Sequence, residues 1–210
     1  MKPRKIPRHS KVMARIHFHS QKNDSTRFCD SELEVARLLL LEFEDDVIAY
    51  NTQPASFTYL VNGKNRRYTP DLIISHKHKG VYFEEIKPKD KLGSQKNIEK
   101  FDILSKAFAA ISDNGLKLVT EEQIYVGSTI ANLKKLYHYR SLTLSEQCQQ
   151  VLQELPARIT YCGLISWAES HQCHVYDPMI LLANRCYTFD LTCMLSPLTH
   201  LERSYGSTNL

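Results

Sequence analysis

Two carboxylates and a lysine stand close together in the first half of this 210-residue chain. Asp71 follows Pro70, and further along Glu85 and Lys87 are separated only by Ile86. Mg²⁺ prefers hard oxygen ligands and commonly takes one or two carboxylates, and such a cation polarises a phosphate and lowers the pKa of a bound water. A neighbouring lysine offsets charge that develops in the transition state. These residue types therefore predict metal-dependent phosphodiester cleavage.

Two apolar segments are expected to position these side chains. Residues 68–74 have the pattern of a strand entered through a proline, and residues 81–87 that of a second strand. The polar residues 75–80 between them predict a turn. A hairpin of this kind brings Asp71 beside the second strand.

Alternation along the second strand decides which acid belongs with the lysine. Successive side chains point to opposite faces of a strand, so Glu85 and Lys87 share one face and Glu84 takes the other. A charged pair on the same face as Phe83 is costly to bury without a metal ion or a partner. This arrangement has the form of the PD…ExK core of restriction-type nucleases. The alternative is a solvent-exposed hairpin with ordinary surface charges, because Pro-Asp and Glu-x-Lys are both common in isolation.

Glu34 is the third candidate carboxylate, and two explanations fit it. Apolar residues at helical spacing predict a helix over residues 31–43 with Ser31 as its N-cap. Ser31 followed by Glu34 is typical of a capping box, in which the glutamate reaches back to the N-cap N–H. If this helix lies across the sheet, Glu34 instead delivers a carboxylate to the same metal ions as Asp71. The sequence leaves both roles open.

The predicted elements of residues 26–140 describe a mixed sheet flanked by helices. Asn62-Gly63 is a strong hairpin signal in a strand-like stretch that is broken at Gln53-Pro54, so these strands are expected to form an antiparallel meander. A helix at 98–111, a strand at 116–120 and a helix at 130–139 follow. This α/β order is that of a restriction-endonuclease-like nuclease domain.

The chain changes character in residues 141–210. Helices are predicted at 141–155, 161–171 and 178–183, followed by a strand at 186–191 and its return at 198–203. Three short helices and a hairpin are the order of a winged-helix domain, with any other small α+β appendage as the alternative. The third helix has too few polar side chains to read base edges, so this domain is better suited to protein contacts.

Basic residues are concentrated at the N-terminus, although the net charge of the chain is only +4. Residues 1–25 are expected to form a basic arm that contacts phosphates with salt-dependent affinity; a disordered, solubilising terminus explains the same composition. The basic residues before the first acid are Lys2, Arg4, Lys5, Arg8, Lys11 and Arg15.

The overall composition is that of a soluble protein. Hydrophobic residues make up 42% and charged residues 24%, as in ordinary globular domains, and no apolar run is long enough to span a membrane. The expected location is the cytoplasm. The six cysteines include no CxxC pair and are most simply reduced thiols, while Cys162, His171, Cys173 and His174 fit no standard zinc spacing.

Three segments of the chain together resemble a known family. Residues 31–54 (SELEVARLLLLEFEDDVIAYNTQP) are similar to the SxxE…LLxLEFDPxVxxYxxQP stretch of TnsA. Residues 68–71 (YTPD) and 85–88 (EIKP) match the later motifs of that family in order and spacing. TnsA is the endonuclease subunit of the heteromeric transposase in Tn7-type elements, CRISPR-associated ones included. The resemblance extends to about Leu118.

The resemblance implies a role for each site residue. Glu34, Asp71 and Glu85 are then metal carboxylates, the backbone carbonyl of Ile86 is a further ligand, and Lys87 is the catalytic lysine. The implied cofactor is Mg²⁺, for which Mn²⁺ substitutes. An activated water is expected to attack the phosphorus in line, leaving a 5′-phosphate and a 3′-hydroxyl.

The resemblance also implies DNA and two proteins as partners. TnsA-like subunits cut the 5′ ends of the transposon while the DDE transposase TnsB cuts and joins the 3′ ends, so that together they perform cut-and-paste transposition. The AAA+ regulator TnsC is the second protein partner, and a bacterial protein of this kind is nucleoid-associated when active. The expected DNA contacts are Lys64, Arg66, Arg67, Lys89, Lys91 and Lys96, for which a solvated surface is the alternative.

Two other functions fit the same residues. One is a stand-alone PD-(D/E)xK nuclease for restriction, junction resolution or repair. The other is a non-catalytic adaptor with a degenerate nuclease core, whose mark is the loss of site carboxylates. All four site positions are filled here, which favours a working nuclease.

Overall fold

The computed structural model describes residues 15–61, 63–112 and 114–204, which form two units. Along the chain, the first unit ends at Ile124 and the second begins at Tyr125, whereas the sequence predicts a domain boundary near residue 140. Most of the predicted basic arm, residues 1–14, and Asn62 of the predicted turn lie outside the described residues. None of the helices in the described ranges combines the length and apolar character needed to cross a membrane.

A mixed four-stranded sheet is central to the first unit, with strand order β3-β6-β7-β8. The β3/β6 and β6/β7 pairs are antiparallel and the β7/β8 pair is parallel. The predicted mixed sheet with flanking helices is thereby confirmed. The elements of this unit are β1 (Ile16–Ser20), β2 (Ser25–Cys29), α1 (Glu32–Phe43), β3 (Val47–Thr52), β4 (Phe57–Val61), β5 (Lys64–Tyr68), β6 (Leu72–His76), β7 (Gly80–Ile86), α2 (Gln95–Ala109), β8 (Leu116–Val119) and α3 (Glu121–Ile124).

Helix α1 begins where the sequence predicts. The Ser31 hydroxyl accepts a hydrogen bond from the Glu34 N–H at 3.2 Å, which satisfies one of the free donors of the first turn. Arg37 on this helix donates to both carboxylate oxygens of Glu84 on β7, at 2.8 and 2.9 Å. Such a two-pronged contact fixes direction as well as distance, so it ties α1 to one face of the sheet.

Helix α2 packs through an aromatic layer. The ring centroid of Phe108 lies 4.9 Å from that of Phe83 on β7 and 5.8 Å from that of Tyr68, both in edge-on geometry. Phe57 on β4 completes the layer at 4.9 Å from Phe108. Edge-on aromatic pairs stabilise a core beyond their buried area. This layer holds Tyr68 next to the end of β7.

The predicted basic arm ends earlier than expected, because residues 16–20 and 25–29 form an antiparallel hairpin. Phe18 and Ser20 are buried, and the Ser20 hydroxyl donates to the fully buried carboxylate of Glu42 on α1 at 2.6 Å. Two exposed histidines alternate with these buried residues. The strands are therefore too short and too polar to give a clear strand pattern in the sequence.

The predicted meander is wrong at one step. Among the described residues, strands β4 and β5 pair with each other and not with the main sheet, so Tyr68 ends β5 instead of opening the strand predicted over 68–74. Strand β3 pairs with β6. Neighbours along the chain pair in most sheets, and β4 and β5 expose much of both faces. The sequence therefore gave no signal that this hairpin leaves the main sheet.

The second unit contains helices and a small antiparallel sheet of order β10-β11-β9. The helices predicted at 161–171 and 178–183 are present, but the one predicted at 141–155 is shorter and continues as a 3₁₀ turn at Leu152–Glu154. Strand β9 was not predicted. The elements are α4 (Thr129–Tyr137), α5 (Glu146–Gln150), β9 (Arg158–Thr160), α6 (Tyr161–Ser170), α7 (Asp177–Ala183), β10 (Tyr187–Thr188) and β11 (His200–Arg203).

A buried acid organises the second unit. Asp177 is fully buried, and its carboxylate accepts hydrogen bonds from the backbone N–H groups of Ser145 at 3.0 Å and His174 at 2.6 Å. The thiols of Cys148 and Cys173 lie within 4.8 Å of this carboxylate, and burial raises the pKa of the Cys148 thiol. Asp177 thus joins the start of α5 to the start of α7.

Candidate active site

Asp71 lies directly before β6, at the end of the sheet where β3 and β7 finish. Its Oδ2 accepts a hydrogen bond from the backbone N–H of Ile86 at 2.8 Å. Its backbone carbonyl accepts from the N–H of Gln53 at 2.7 Å. The residue is therefore held by both neighbouring strands.

The alternation predicted for β7 is observed. The Nζ of Lys87 lies 3.0 Å from Oε1 of Glu85 and 4.0 Å from Oδ2 of Asp71. Glu84 points to the opposite face and pairs with Arg37. Two adjacent glutamates of one strand thus belong to different environments.

Tyr68 is a site residue that the sequence analysis did not single out. Its hydroxyl donates a hydrogen bond to Oε2 of Glu85, and its side chain is buried. Burial and the charge of Glu85 raise the pKa of the Tyr68 phenol, so the phenol stays protonated and remains a donor. No local pattern signals this contact, because it joins strands of two different sheets.

The site has more negative than positive charge. Burial, and then the charge of Glu85, raise the pKa of Asp71 to about 7. Burial opposes the charge of Lys87, but Asp71 and Glu85 outweigh it and raise the pKa of Lys87. One lysine therefore faces two crowded carboxylates, and a further cation is favoured there.

Glu34 makes local hydrogen bonds at the start of α1. Its Oε2 accepts from the N–H of Asp30 at 3.0 Å, and its Oε1 accepts from the Ser31 hydroxyl at 2.9 Å. The bond to Asp30 differs from a standard capping box, in which the N-cap residue itself is the donor. Burial raises the pKa of Glu34 and outweighs the hydrogen bonds from Asp30 and Ser31 and the charge of Lys87, which lower it. Glu34 is therefore both a cap and an electrostatic neighbour of the site, and its role as a metal ligand stays a prediction.

Gln53 links Asp71 to Asp30, which lies just before α1. Its backbone N–H donates to the carbonyl of Asp71, and its Nε2 donates to Oδ2 of Asp30 at 2.6 Å. Asp30 in turn donates its N–H to Glu34. The backbone of Gln53 is left-handed, with φ of 44°, a conformation uncommon outside glycine. The glutamine of the sequence motif thus links Asp71 to the start of α1.

The carboxylates suit a hard divalent cation. Oδ2 of Asp71 lies 4.0 Å from the Nζ of Lys87, which itself lies 3.0 Å from Oε1 of Glu85, and carboxylate oxygens are the ligands that Mg²⁺ prefers. Over the described residues, the oxygens of Glu34, Asp71 and Glu85 do not all lie within 4.8 Å of one another. Mg²⁺ keeps several waters and needs only one or two carboxylates. Asp71 and Glu85 therefore fit such an ion, with Glu34 at the periphery.

An open cleft of about 540 Å³ gives access to these groups. Among the predicted DNA contacts, Arg67 lines the cleft; Lys64, Arg66, Lys91 and Lys96 are exposed elsewhere in the described structure. Lys89 forms an exposed ion pair with Glu122 at 2.7 Å. The lining residues that carry charge or a hydrogen-bonding group include Arg67, Tyr68, Asp71, Glu85, Lys87 and Lys100.

Residues 44–121 match the family model of the TnsA-like endonuclease N-terminal domain. This segment is TnsA-like. No curated protein matches the chain. The TnsA-like segment contains Asp71, Glu85 and Lys87, whereas Glu34 lies before it.

Replacing Glu34 by glutamine separates its two roles. The amide oxygen still accepts from the Asp30 N–H and the amide NH₂ can donate to the Ser31 hydroxyl, so we expect the free energy of unfolding to change by less than about 1 kcal/mol. Loss of the charge is expected to raise the Mg²⁺ concentration needed for cleavage by about tenfold to a hundredfold. A titration of cleavage with Mg²⁺ measures this change. An unaltered Mg²⁺ requirement would leave Glu34 with the structural role only.

Replacing Asp71 by asparagine should stabilise the metal-free TnsA-like domain while removing its activity. The folded pKa of Asp71 lies above that of an unfolded aspartate, so ionisation destabilises the fold progressively as the pH rises from about 4 to about 7. The variant lacks this penalty, and we expect it to gain roughly 1–3 kcal/mol above about pH 7 and little near pH 4.

Thermal unfolding in a chelator across this pH range measures the effect. Added Mg²⁺ should stabilise the wild-type protein and not the variant, since only the wild type keeps the charged ligand. A gain that is the same at all pH values would contradict the electrostatic explanation.

Proposed function

We propose that this protein is a Mg²⁺-dependent DNA endonuclease subunit of a heteromeric transposase, cutting the 5′ ends of a transposon. The observation that carries the proposal is the placement of Asp71, Glu85 and Lys87 at adjacent strand ends of a TnsA-like domain. Crowded carboxylates with one lysine, beside an open cleft, suit a phosphodiester and a divalent cation.

Each site residue has its own role in the proposed reaction. Asp71, Glu85 and the Ile86 carbonyl would hold a Mg²⁺ ion, which would supply Lewis-acid activation of the phosphate. Lys87 donates to a phosphate oxygen or to the attacking water and offsets the growing negative charge. Water adds to the phosphorus as the bond to the 3′ oxygen breaks; that oxygen takes up a proton, and a 5′-phosphate and a 3′-hydroxyl remain.

The second unit supports an assembly role. We infer a winged-helix-like unit from its order of α5, β9, α6, α7, β10 and β11, with β11 between the other two strands. Helix α7 buries most of its residues in its own unit and shows few side chains suited to reading base edges. We infer that this unit contacts proteins, with the TnsB-like transposase and the TnsC-like ATPase as partners.

The test is cleavage of end-labelled transposon DNA by the full chain, with and without the DDE transposase of the same element. The proposal expects 5′-strand cuts at the transposon ends only when the transposase and Mg²⁺ are both present. Asp71→Asn should abolish these cuts and leave the 3′ cuts intact. Efficient cutting of plain plasmid without partners would instead show a stand-alone nuclease, and Mg²⁺-independent cutting would overturn the metal role.

A further inference from the structure

Lys100 occupies the cleft without an acidic partner. It lies on α2, is half-buried, and lines the same cleft as Asp71 and Lys87. Its Nζ lies 5.0 Å from the ring centroid of Tyr68 and 4.9 Å from that of Phe101. A lysine over aromatic rings at this distance is held by a weak cation–π attraction, which orders the side chain without neutralising it.

Lys87 in the cleft and Lys106 on α2 both have acidic partners. Lys87 pairs with Glu85, and Lys106, two turns further along α2, pairs with Asp102 at 2.7 Å. In the described part of the chain, Lys100 has no carboxylate within 4.0 Å. A half-buried cation that faces an open cleft and lacks an anion is suited to binding an anion from outside.

Tyr68 explains why Lys100 stays available. The Tyr68 hydroxyl is bound to Glu85, and the face of its ring carries the Lys100 ammonium. The Tyr68 side chain therefore contacts both the Glu85 carboxylate and the lysine. One tyrosine both orients Glu85 and keeps Lys100 close to the reacting centre without an ion pair.

We propose that Lys100 binds a backbone phosphate of the DNA, next to the phosphate that is cut. The ligand is a phosphodiester anion, and the inference rests on the proposed function because it assumes that DNA enters this cleft. Contacts to phosphates fix the position of a duplex and do not depend on its sequence. Lys100 is thus a DNA-positioning residue, while Lys87 serves the phosphate under attack.

The test measures binding of the full chain to a labelled duplex of mixed sequence across a series of salt concentrations, with Ca²⁺ in place of Mg²⁺. Each phosphate contact adds about 0.9 to the slope of log K against log salt. Lys100→Gln should reduce that slope by about one contact and weaken binding at low salt. Lys100→Met, which keeps the apolar stem over both rings, should show the same loss, and Lys100→Arg should restore the wild-type slope.

Lys106→Gln is the matched control, because it removes an equal charge from the same helix at an exposed, paired position. The proposal is overturned if Lys100→Gln and Lys100→Met keep the wild-type slope, if Lys106→Gln lowers it equally, or if the wild-type protein does not bind the duplex at the lowest salt. Binding does not require cleavage. Suppose that the salt slope depends on Lys100 but the protein cuts no DNA even with the transposase and Mg²⁺ present. That result would reject the proposed function and retain Lys100 as a phosphate-binding residue.

Discussion

Replacement of Lys87 by alanine is expected to slow DNA cleavage by about a hundredfold to a thousandfold at saturating Mg²⁺. The lysine ammonium lies 3.0 Å from Glu85 and 4.0 Å from Asp71, where it can donate to a phosphate held over these carboxylates. Its charge also competes with a metal ion for the same oxygens. We therefore expect Mg²⁺ affinity to stay the same or to increase while the rate falls.

Two measurements on the same variant check these opposite changes. Single-turnover cleavage gives the rate of the chemical step, and calorimetric titration gives Mg²⁺ affinity. Lys106→Ala removes an exposed lysine that is paired with Asp102 and should behave like wild type in both. A Lys87→Ala variant that cuts at the wild-type rate would remove Lys87 from the chemistry, and one that loses Mg²⁺ binding would show that it acts through the fold of the site.

Replacement of Arg37 by alanine is expected to lower the free energy of unfolding of the first unit by about 3–5 kcal/mol. The Arg37 and Glu84 side chains are 12% and 3% exposed. Without Arg37, the Glu84 carboxylate stays buried and unpaired, which costs far more than the loss of an exposed pair. Denaturant unfolding followed by circular dichroism measures the change.

Two controls separate burial from charge. Lys106→Ala breaks an exposed pair whose side chains are 75% and 59% accessible, and should cost no more than about 1 kcal/mol. The double variant Arg37→Met with Glu84→Met should recover most of the stability, because well-packed apolar residues often replace a buried ion pair without loss. If Arg37→Ala alone is as stable as wild type, the pair does not hold α1 to the sheet.

Local patterns predicted the parts of the site that depend on one element. The Ser31 cap and helical periodicity gave α1, and strand alternation assigned Glu85 and Lys87 to one face and Glu84 to the other. These inferences needed only the geometry of a single helix or strand.

These local patterns could not predict which strands pair with each other. Nothing local indicated that β3 would pair with β6 while β4 and β5 formed their own sheet, since strand pairing is a property of the whole fold. The role of Tyr68 depends on that choice, because its position at the end of β5 brings its hydroxyl to Glu85. Gln53 was recognised as part of a motif, but its link between Asp71 and Asp30 required the folded loops.

The two adjacent glutamates of β7 affect which alignment this strand adopts in the sheet. A shift of β7 by one residue would turn Glu84 toward Asp71, and would turn both Glu85 and Lys87 toward Arg37. An acid would still lie on each face, but the site would lose Lys87, and the lysine would lie on the same face as Arg37. In the observed alignment, Arg37 donates two hydrogen bonds to Glu84, and the Tyr68 hydroxyl donates one to Glu85. These contacts favour the observed alignment over the shifted one. Arg37, which pairs with Glu84 on the opposite face, thus favours the alignment that keeps Glu85 and Lys87 in the site.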